Sequence, residues 1–390
     1  MDFQTKSKLT QQAISQHLNK NTKISIIEET TAKKINYRNK TVYSFQKKEN
    51  PKQDALSFSI IDTNHIDIIN TLKREIPNIW GKVKDVFIKS NNLGEIQLCF
   101  TIYNIINNPI LSNPILSNPI LSNPILSNPI LSNPILINEI LTKLNQNINI
   151  NIKSVYYRIY DTTTKSQFDK KEIEQIPILY SKKLEENILG TKLYLSPYTF
   201  SRINTIISPK IYQEIHRLVI SIDNINHINH INHINRINPI NHIILYGRDI
   251  YYLTKFFINR EILAVTHCKI TYQDIITDPD LVKQNKKLKK ENYLFQVEKK
   301  NYTKLLAEKR KPKDNSQVIL TAGRNGLARE LVDYFIETEQ IKSIIYISCN
   351  RETMSRDLDI LSSKFILKEC IIIDEFPQTK YNNTICLLMK

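Results

Sequence analysis

A chain of 390 residues with 41% hydrophobic and 24% charged side chains has the make-up of a globular protein with room for two domains, which excludes a fibrous or wholly disordered chain. Its 54 Lys and Arg against 38 Asp and Glu leave a net charge of +16, so polyanions are natural partners, nucleic acid first among them, with plain solubility the alternative. Five dispersed cysteines without a CxxC pair, no apolar block in the first residues and no long apolar run exclude a disulfide framework, a zinc cluster, a leader and a membrane span, and predict an intracellular, cytoplasmic protein without a metal.

In chain order, residues 8–20 and 65–74 have helical spacing. Thr41–Phe45, Ile96–Tyr103 and Val155–Tyr160 alternate as strands do. Between them lies an NPILS repeat from Asn108 to Leu136, with prolines at 109, 114, 119, 124, 129 and 134. A proline every five residues excludes a helix and a central strand, and a period of five puts no single face in the core, so 108–136 reads as an expanded insertion. These elements predict an α+β domain over 1–190.

From Lys192 the pattern alternates. Helices are predicted at Ser208–Ile222, Asp249–Phe257, Asp280–Tyr293, Leu327–Thr338 and Thr353–Lys364. Strands are predicted at His242–Tyr246, Ile262–Thr266, Gln317–Thr321, Ile344–Ser348, Ile366–Ile373 and Thr384–Met389. Such alternation implies a mostly parallel sheet covered on both faces, with ligands beyond the carboxyl ends of its strands. An INH repeat occupies 225–242. Its histidines at 227, 230, 233 and 242 suit either a metal-binding edge or an expanded surface loop, and the lack of a neighbouring carboxylate or cysteine favours the loop. Lys283–Lys313 interleaves lysine pairs with Tyr293, Phe295 and Tyr302. That pattern suits either a phosphate-tracking segment or a solvated helix face. The chain has only six glycines, few for a nucleotide-binding protein.

The segment Ile344-Ile345-Tyr346-Ile347-Ser348-Cys349-Asn350 ends an apolar strand at a thiol just before a helix. That places Cys349 at the carboxyl edge of the sheet, where a helix amino terminus lowers a thiol pKa. A buried structural cysteine is the alternative.

Tyr346–Asn350, with Glu352-Thr353 and Arg356-Asp357-Leu358, resembles the YxSCNPxTLxRDL block of RNA uracil-C5 methyltransferases. Val318–Leu327 resembles that family's hhhDPPRxGL. Phe376-Pro377-Gln378-Thr379 with Cys386-Leu387-Leu388 resembles its terminal FPxTxHxExxxLL. More weakly, Thr199–Asn204 resembles SFxQxN, Leu245-Tyr246-Gly247 the start of DLYCGxG, and Tyr37–Lys40 a YRNR-like start. The resemblance covers most of 195–390.

The resemblance implies a Rossmann-like, S-adenosylmethionine-dependent methyltransferase domain at 191–390, preceded by an α+β RNA-binding domain. It implies methyl transfer to C5 of uridine in RNA, with tRNA the expected RNA and a monomer the expected state. Cys349 matches the nucleophile that adds to C6. Arg324 matches the arginine of DPPR. Arg202, Tyr246, Lys269 and Thr321 fall on the cofactor-binding positions, and Asn383 falls on the general base. Four of these depart from the family pattern: Arg202 for glutamine, Lys269 for an acidic residue, Thr321 for aspartate and Asn383 for glutamate. An amide has no useful basicity and a lysine accepts no hydrogen bond. The departures imply either unfamiliar residues in the same roles, with Asp374 and Glu375 nearby as substitute carboxylates, or a catalytically inactive relative that binds RNA.

Overall fold

The computed structural model describes residues 2–27, 39–44, 63–75, 83–103, 142, 144, 146, 151–160, 176–179, 183–231, 242–258, 260–266, 268–290, 295–299 and 312–390. The NPILS insertion lies outside them, as do Tyr37, Arg38 and much of the lysine-rich segment.

The chain opens with α1 (Phe3–Ala13), a 3₁₀ turn at Ser15–His17 and β1 (Lys23–Ile27). The first helix begins earlier than its apolar spacing suggests because Asp2 caps it, Oδ1 accepting from Thr5 N at 2.8 Å. Next come β2 (Lys40–Ser44), α2 (Thr63–Glu75), β3 (Val83–Ser90), β4 (Glu95–Tyr103), β5 (Asn151–Tyr160) and β6 (Ile176–Leu179), then the hairpin β7 (Leu184–Ile188) and β8 (Thr191–Leu195). The remainder is α3 (Ser208–Ile231), β9 (His242–Gly247), α4 (Ile250–Phe256), β10 (Glu261–Thr266), α5 (Lys269–Thr277), α6 (Pro279–Lys290), β11 (Phe295–Lys299), β12 (Ser316–Thr321), α7 (Arg329–Glu337), β13 (Ile341–Ser348), α8 (Arg351–Leu361), β14 (Ile366–Ile373) and β15 (Asn383–Met389).

Two compact units result, Ile35–Glu186 and a second made of Met1–Lys34 with Asn187–Lys390. The first holds a five-stranded sheet, β2-β3-β4-β5-β6, antiparallel except for β4 beside β5. Residues 2–27 thus belong with the carboxyl-terminal unit rather than with a 1–190 domain. The reason is β1, which pairs in parallel with β14 and extends that unit's sheet.

That larger sheet runs β1-β14-β15-β13-β12-β9-β10-β11, parallel throughout except for β15, which is antiparallel to both its neighbours. The fold is α/β with a mostly parallel sheet, as the alternation predicts. Its central strands are the apolar runs Ile243–Tyr246, Val318–Leu320 and Ile344–Ile347, buried because helices cover both faces. The INH repeat departs from the expected loop: α3 continues through Ile231 into it, and His242 opens β9 with Nδ1 2.7 Å from Ser316 Oγ. Among the described residues no metal-binding group of His, Cys, Asp and Glu occurs, and no helix is long and apolar enough to cross a membrane.

Candidate active site

Strand register gathers the site. Thr321, the last residue of β12, lies opposite Gly247 at the end of β9 and Ile347 in β13. Because β15 runs antiparallel between β13 and β14, its first residues return to the same edge. Thr384 faces Ser348, and Asn383 faces Ile373 at the end of β14. Cys349 and the 374–383 turn therefore meet at the carboxyl edge, although 34 residues separate Cys349 from Asn383 in sequence.

Cys349 occupies the one-residue step between β13 and the cap of α8, where Asn350 Oδ1 accepts from Glu352 N. The same Asn350 donates through Nδ2 to the carbonyl of Arg324 at 2.8 Å, and Thr353 Oγ1 donates to it at 3.2 Å. Asp357 in α8 accepts from Leu327 N at 2.8 Å and from the buried Tyr346 hydroxyl at 2.6 Å. These bonds fasten the 322–328 loop, and with it Arg324, beside the thiol. Arg324 is exposed and lies over the ring of Tyr381, 4.8 Å from its centroid.

The thiol itself is half-buried. Its pKa is raised, first by burial and then by the carboxylate of Glu375, against the lowering influence of Arg324, Arg248 and Arg202. This reverses the lowering expected from the helix terminus: desolvation and a neighbouring anion outweigh it.

The strongest electrostatic feature of the edge is an ion triad. Arg202, 4% exposed, reaches Asp249 Oδ2 through Nη2 at 2.5 Å and Glu375 Oε2 through Nη1 at 2.7 Å. Asp249 and Glu375 are each 2% exposed. Tyr212 donates its hydroxyl to Asp249 Oδ1 at 2.7 Å, and Asn204 Nδ2 reaches the Glu375 carbonyl at 3.2 Å. Burial works against the charge on Arg202, but Asp249 and then Glu375 overcome it and hold the guanidinium protonated. Glu375 has a raised pKa, caused first by burial and then countered in part by Arg202.

The remaining expected positions divide. Asn383 is buried at the site, its Nδ2 donating to Glu375 Oε2. Thr321 is buried at the end of β12. Tyr246 faces the hydrophobic core, edge-on to Phe335 with centroids 5.7 Å apart. Lys269 is the first residue of α5, following the Cys268 cap, and its side chain lies outside the described residues. Arg202 Nε, Thr321 Oγ1 and Asn383 Oδ1 are buried without a hydrogen-bond partner among the described residues. Asp249 was missed in the sequence. Its signal was a charge pattern: an arginine at a glutamine position, with acids arising at two places that later fold together.

The tRNA (Uracil-5-)-methyltransferase family matches residues 279–390. An uncharacterised RNA methyltransferase of Fusobacterium nucleatum is 26% identical over 257 residues, covering 64% of this chain and 48% of that protein. A tRNA/tmRNA (uracil-C(5))-methyltransferase of Helicobacter hepaticus is 36% identical over 73 residues, 19% of this chain and 18% of that one. The chain thus spans about half the length of the first of these relatives and less of the second. The solved tRNA (uracil-54, C5)-methyltransferase of Pyrococcus abyssi, in complex with S-adenosyl-L-homocysteine, superposes with a TM-score of 0.58. It is 14% identical, covers 100% of this chain and 84% of its own, and shows a common fold.

That fold implies S-adenosylmethionine as methyl donor, a sulfonium cation with ribose hydroxyls. The described side chains at the strand ends do not fit it. Asp249 and Glu375 are both committed to Arg202, while Arg248 and Arg324 add two further cations near the thiol. Beyond β10, Asp274 is committed to the 196–199 turn, accepting from Ser196 N at 2.9 Å and Ser196 Oγ at 2.7 Å. No carboxylate described at this edge is left to face a sulfonium or a ribose. The chain resembles the RNA uracil-C5 methyltransferases, carries the domain of the tRNA (Uracil-5-)-methyltransferase family over residues 279–390, and has the α/β methyltransferase fold.

Proposed function

We propose that this chain is an RNA methyltransferase-like protein directed at C5 of uridine in RNA, with tRNA the candidate RNA, acting through a covalent adduct between Cys349 and C6 of the base. The observation that supports it is the placement of Cys349: a half-buried thiol at the carboxyl edge of the sheet, beside Arg324 and the 374–383 turn.

Carbon 5 of uracil is a poor nucleophile. A thiolate adding to C6 pushes electrons into the C4 carbonyl and leaves an enolate whose nucleophilic carbon is C5. Arg324 and Arg248 favour the thiolate that begins this step. The target uridine must be unpaired or turned out of its stack to reach a sulfur at a sheet edge. In the family that the chain resembles, S-adenosylmethionine supplies the methyl group to C5. A net charge of +16 attracts the RNA backbone, so affinity falls steeply with salt.

A second reading, a catalytically inactive relative that binds RNA, is favoured by the Asp249–Arg202–Glu375 triad. One experiment separates them. Incubation with a tRNA transcript containing 5-fluorouridine gives a protein–RNA band on a denaturing gel that is absent in Cys349→Ala. RNA binding without that band supports the inactive relative instead.

A further inference from the structure

The carboxylate missing at 383 is present in space. Asn383, on the family's base position, uses its side-chain amide to hold the carboxylate of Glu375, eight residues earlier. Glu375 stands where β14 ends and Asn383 where β15 begins, so the turn between them folds the two onto one spot. Glu375 is buried, bonded also to Arg202, and near enough to the Cys349 sulfur to disfavour its thiolate. The neighbouring Asp374 is bound elsewhere, to the buried Lys6.

We propose that Glu375 is the catalytic base of this site, supplying from the other end of the turn the carboxylate that position 383 lacks. The inference rests on the Cys349 reading above. In the adduct, C6 is bonded to sulfur and C5 is tetrahedral. A Glu375 oxygen takes the C5 proton, the C5–H electron pair becomes the C5=C6 double bond, and the C6–S pair returns to sulfur as thiolate. Asn383 orients the carboxylate. Arg202 and Asp249 fix its position and moderate its basicity.

The step also runs without a methyl donor. A proton from water enters C5 of the enolate on one face, and Glu375 removes the original hydrogen from the other. The net result is exchange of the uridine C5 hydrogen with solvent.

The test uses the full chain, a tRNA transcript tritiated at uridine C5, and release of tritium to water. Wild type is expected to release tritium and Cys349→Ala is not. Glu375→Gln is expected to slow release by about 10²-fold or more, the usual worth of a positioned base, while still forming the 5-fluorouridine adduct. Adding Asn383→Glu to Glu375→Gln returns a carboxylate to the spot from the other strand and is expected to recover at least about tenfold of the loss, within that same range. A merely structural glutamate would not allow this rescue. Tritium release by Glu375→Gln at the wild-type rate, or no recovery in the double variant, overturns the assignment. A wild type that forms the adduct but releases no tritium overturns Glu375 alone; one that forms no adduct overturns the Cys349 reading with it.

Discussion

Lys6 and Asp374 form a buried ion pair across 368 residues of sequence. The lysine is fully buried and also donates to the carbonyl of Phe376 at 3.1 Å. One turn later on α1, Thr10 Oγ1 accepts from Asn382 Nδ2 at 2.9 Å. The first helix thus grips the residues immediately before Glu375 and before Asn383. Lys6→Met removes one partner and leaves the other charge largely buried, which costs about 3–5 kcal/mol. Denaturant melts of the full chain check this, and the Lys6→Met, Asp374→Asn pair is expected to lose less than the single change.

Arg202→Gln restores the residue type of the SFxQxN pattern but leaves Asp249 and Glu375 buried without their cation. The loss is about 3–5 kcal/mol near neutral pH. Its pH dependence follows from sign. Glu375, already raised by burial, loses the lowering influence of Arg202, so its folded-state pKa stands further above the unfolded value and the folded state binds more protons. The variant therefore recovers stability as pH falls and loses it as pH rises through that raised value. Urea midpoints of variant and wild type between pH 4.5 and 8 read this out, and parallel curves would contradict it.

S-adenosylmethionine at about 1 mM is expected to leave the melting temperature of the wild type unchanged. A ligand at 100 times its Kd would add about 2.7 kcal/mol. A clear upward shift would show that the cations of this edge do not exclude a sulfonium.

Alkylation of Cys349 by iodoacetamide reports its thiolate. Burial and Glu375 raise the pKa, while Arg324, Arg248 and Arg202 lower it; Asp249 stands beyond Arg202. At neutral pH the reaction is therefore slow, and it accelerates above the ordinary thiol range. Glu375→Gln removes the anion, lowers the pKa and speeds alkylation at pH 7.5. Arg324→Ala does the opposite. Rates that do not move in these directions would place the charges elsewhere.

Gly247 combines φ of +106° with a close approach: a Cβ there would stand 2.0 Å from the carbonyl oxygen of Thr321. Gly247→Ala carries both a left-handed strain and a clash between two central strands, so a loss of more than about 1–3 kcal/mol is expected. Thermal melting of the variant checks it.

The sequence alone marked β9, β10 and β12 to β15 in chain order, because runs such as Ile344–Ile347 and Val318–Leu320 are apolar without interruption and only a sheet covered on both faces buries them. It also located Cys349 at a strand end, because the apolar run stops there and a helix cap follows. It did not place α1 and β1 in the methyltransferase unit, since that depends on pairing between Lys23–Ile27 and Glu369–Ile373, more than 340 residues apart. Nor did it reveal that Arg202, Asp249 and Glu375 converge, or that Asn383 holds a carboxylate. Side chains far apart in sequence meet only when register and the antiparallel return of β15 bring their strand ends together. The direction of the thiol pKa was likewise a tertiary matter: a helix terminus is visible locally, whereas burial and the position of Glu375 exist only in the folded chain.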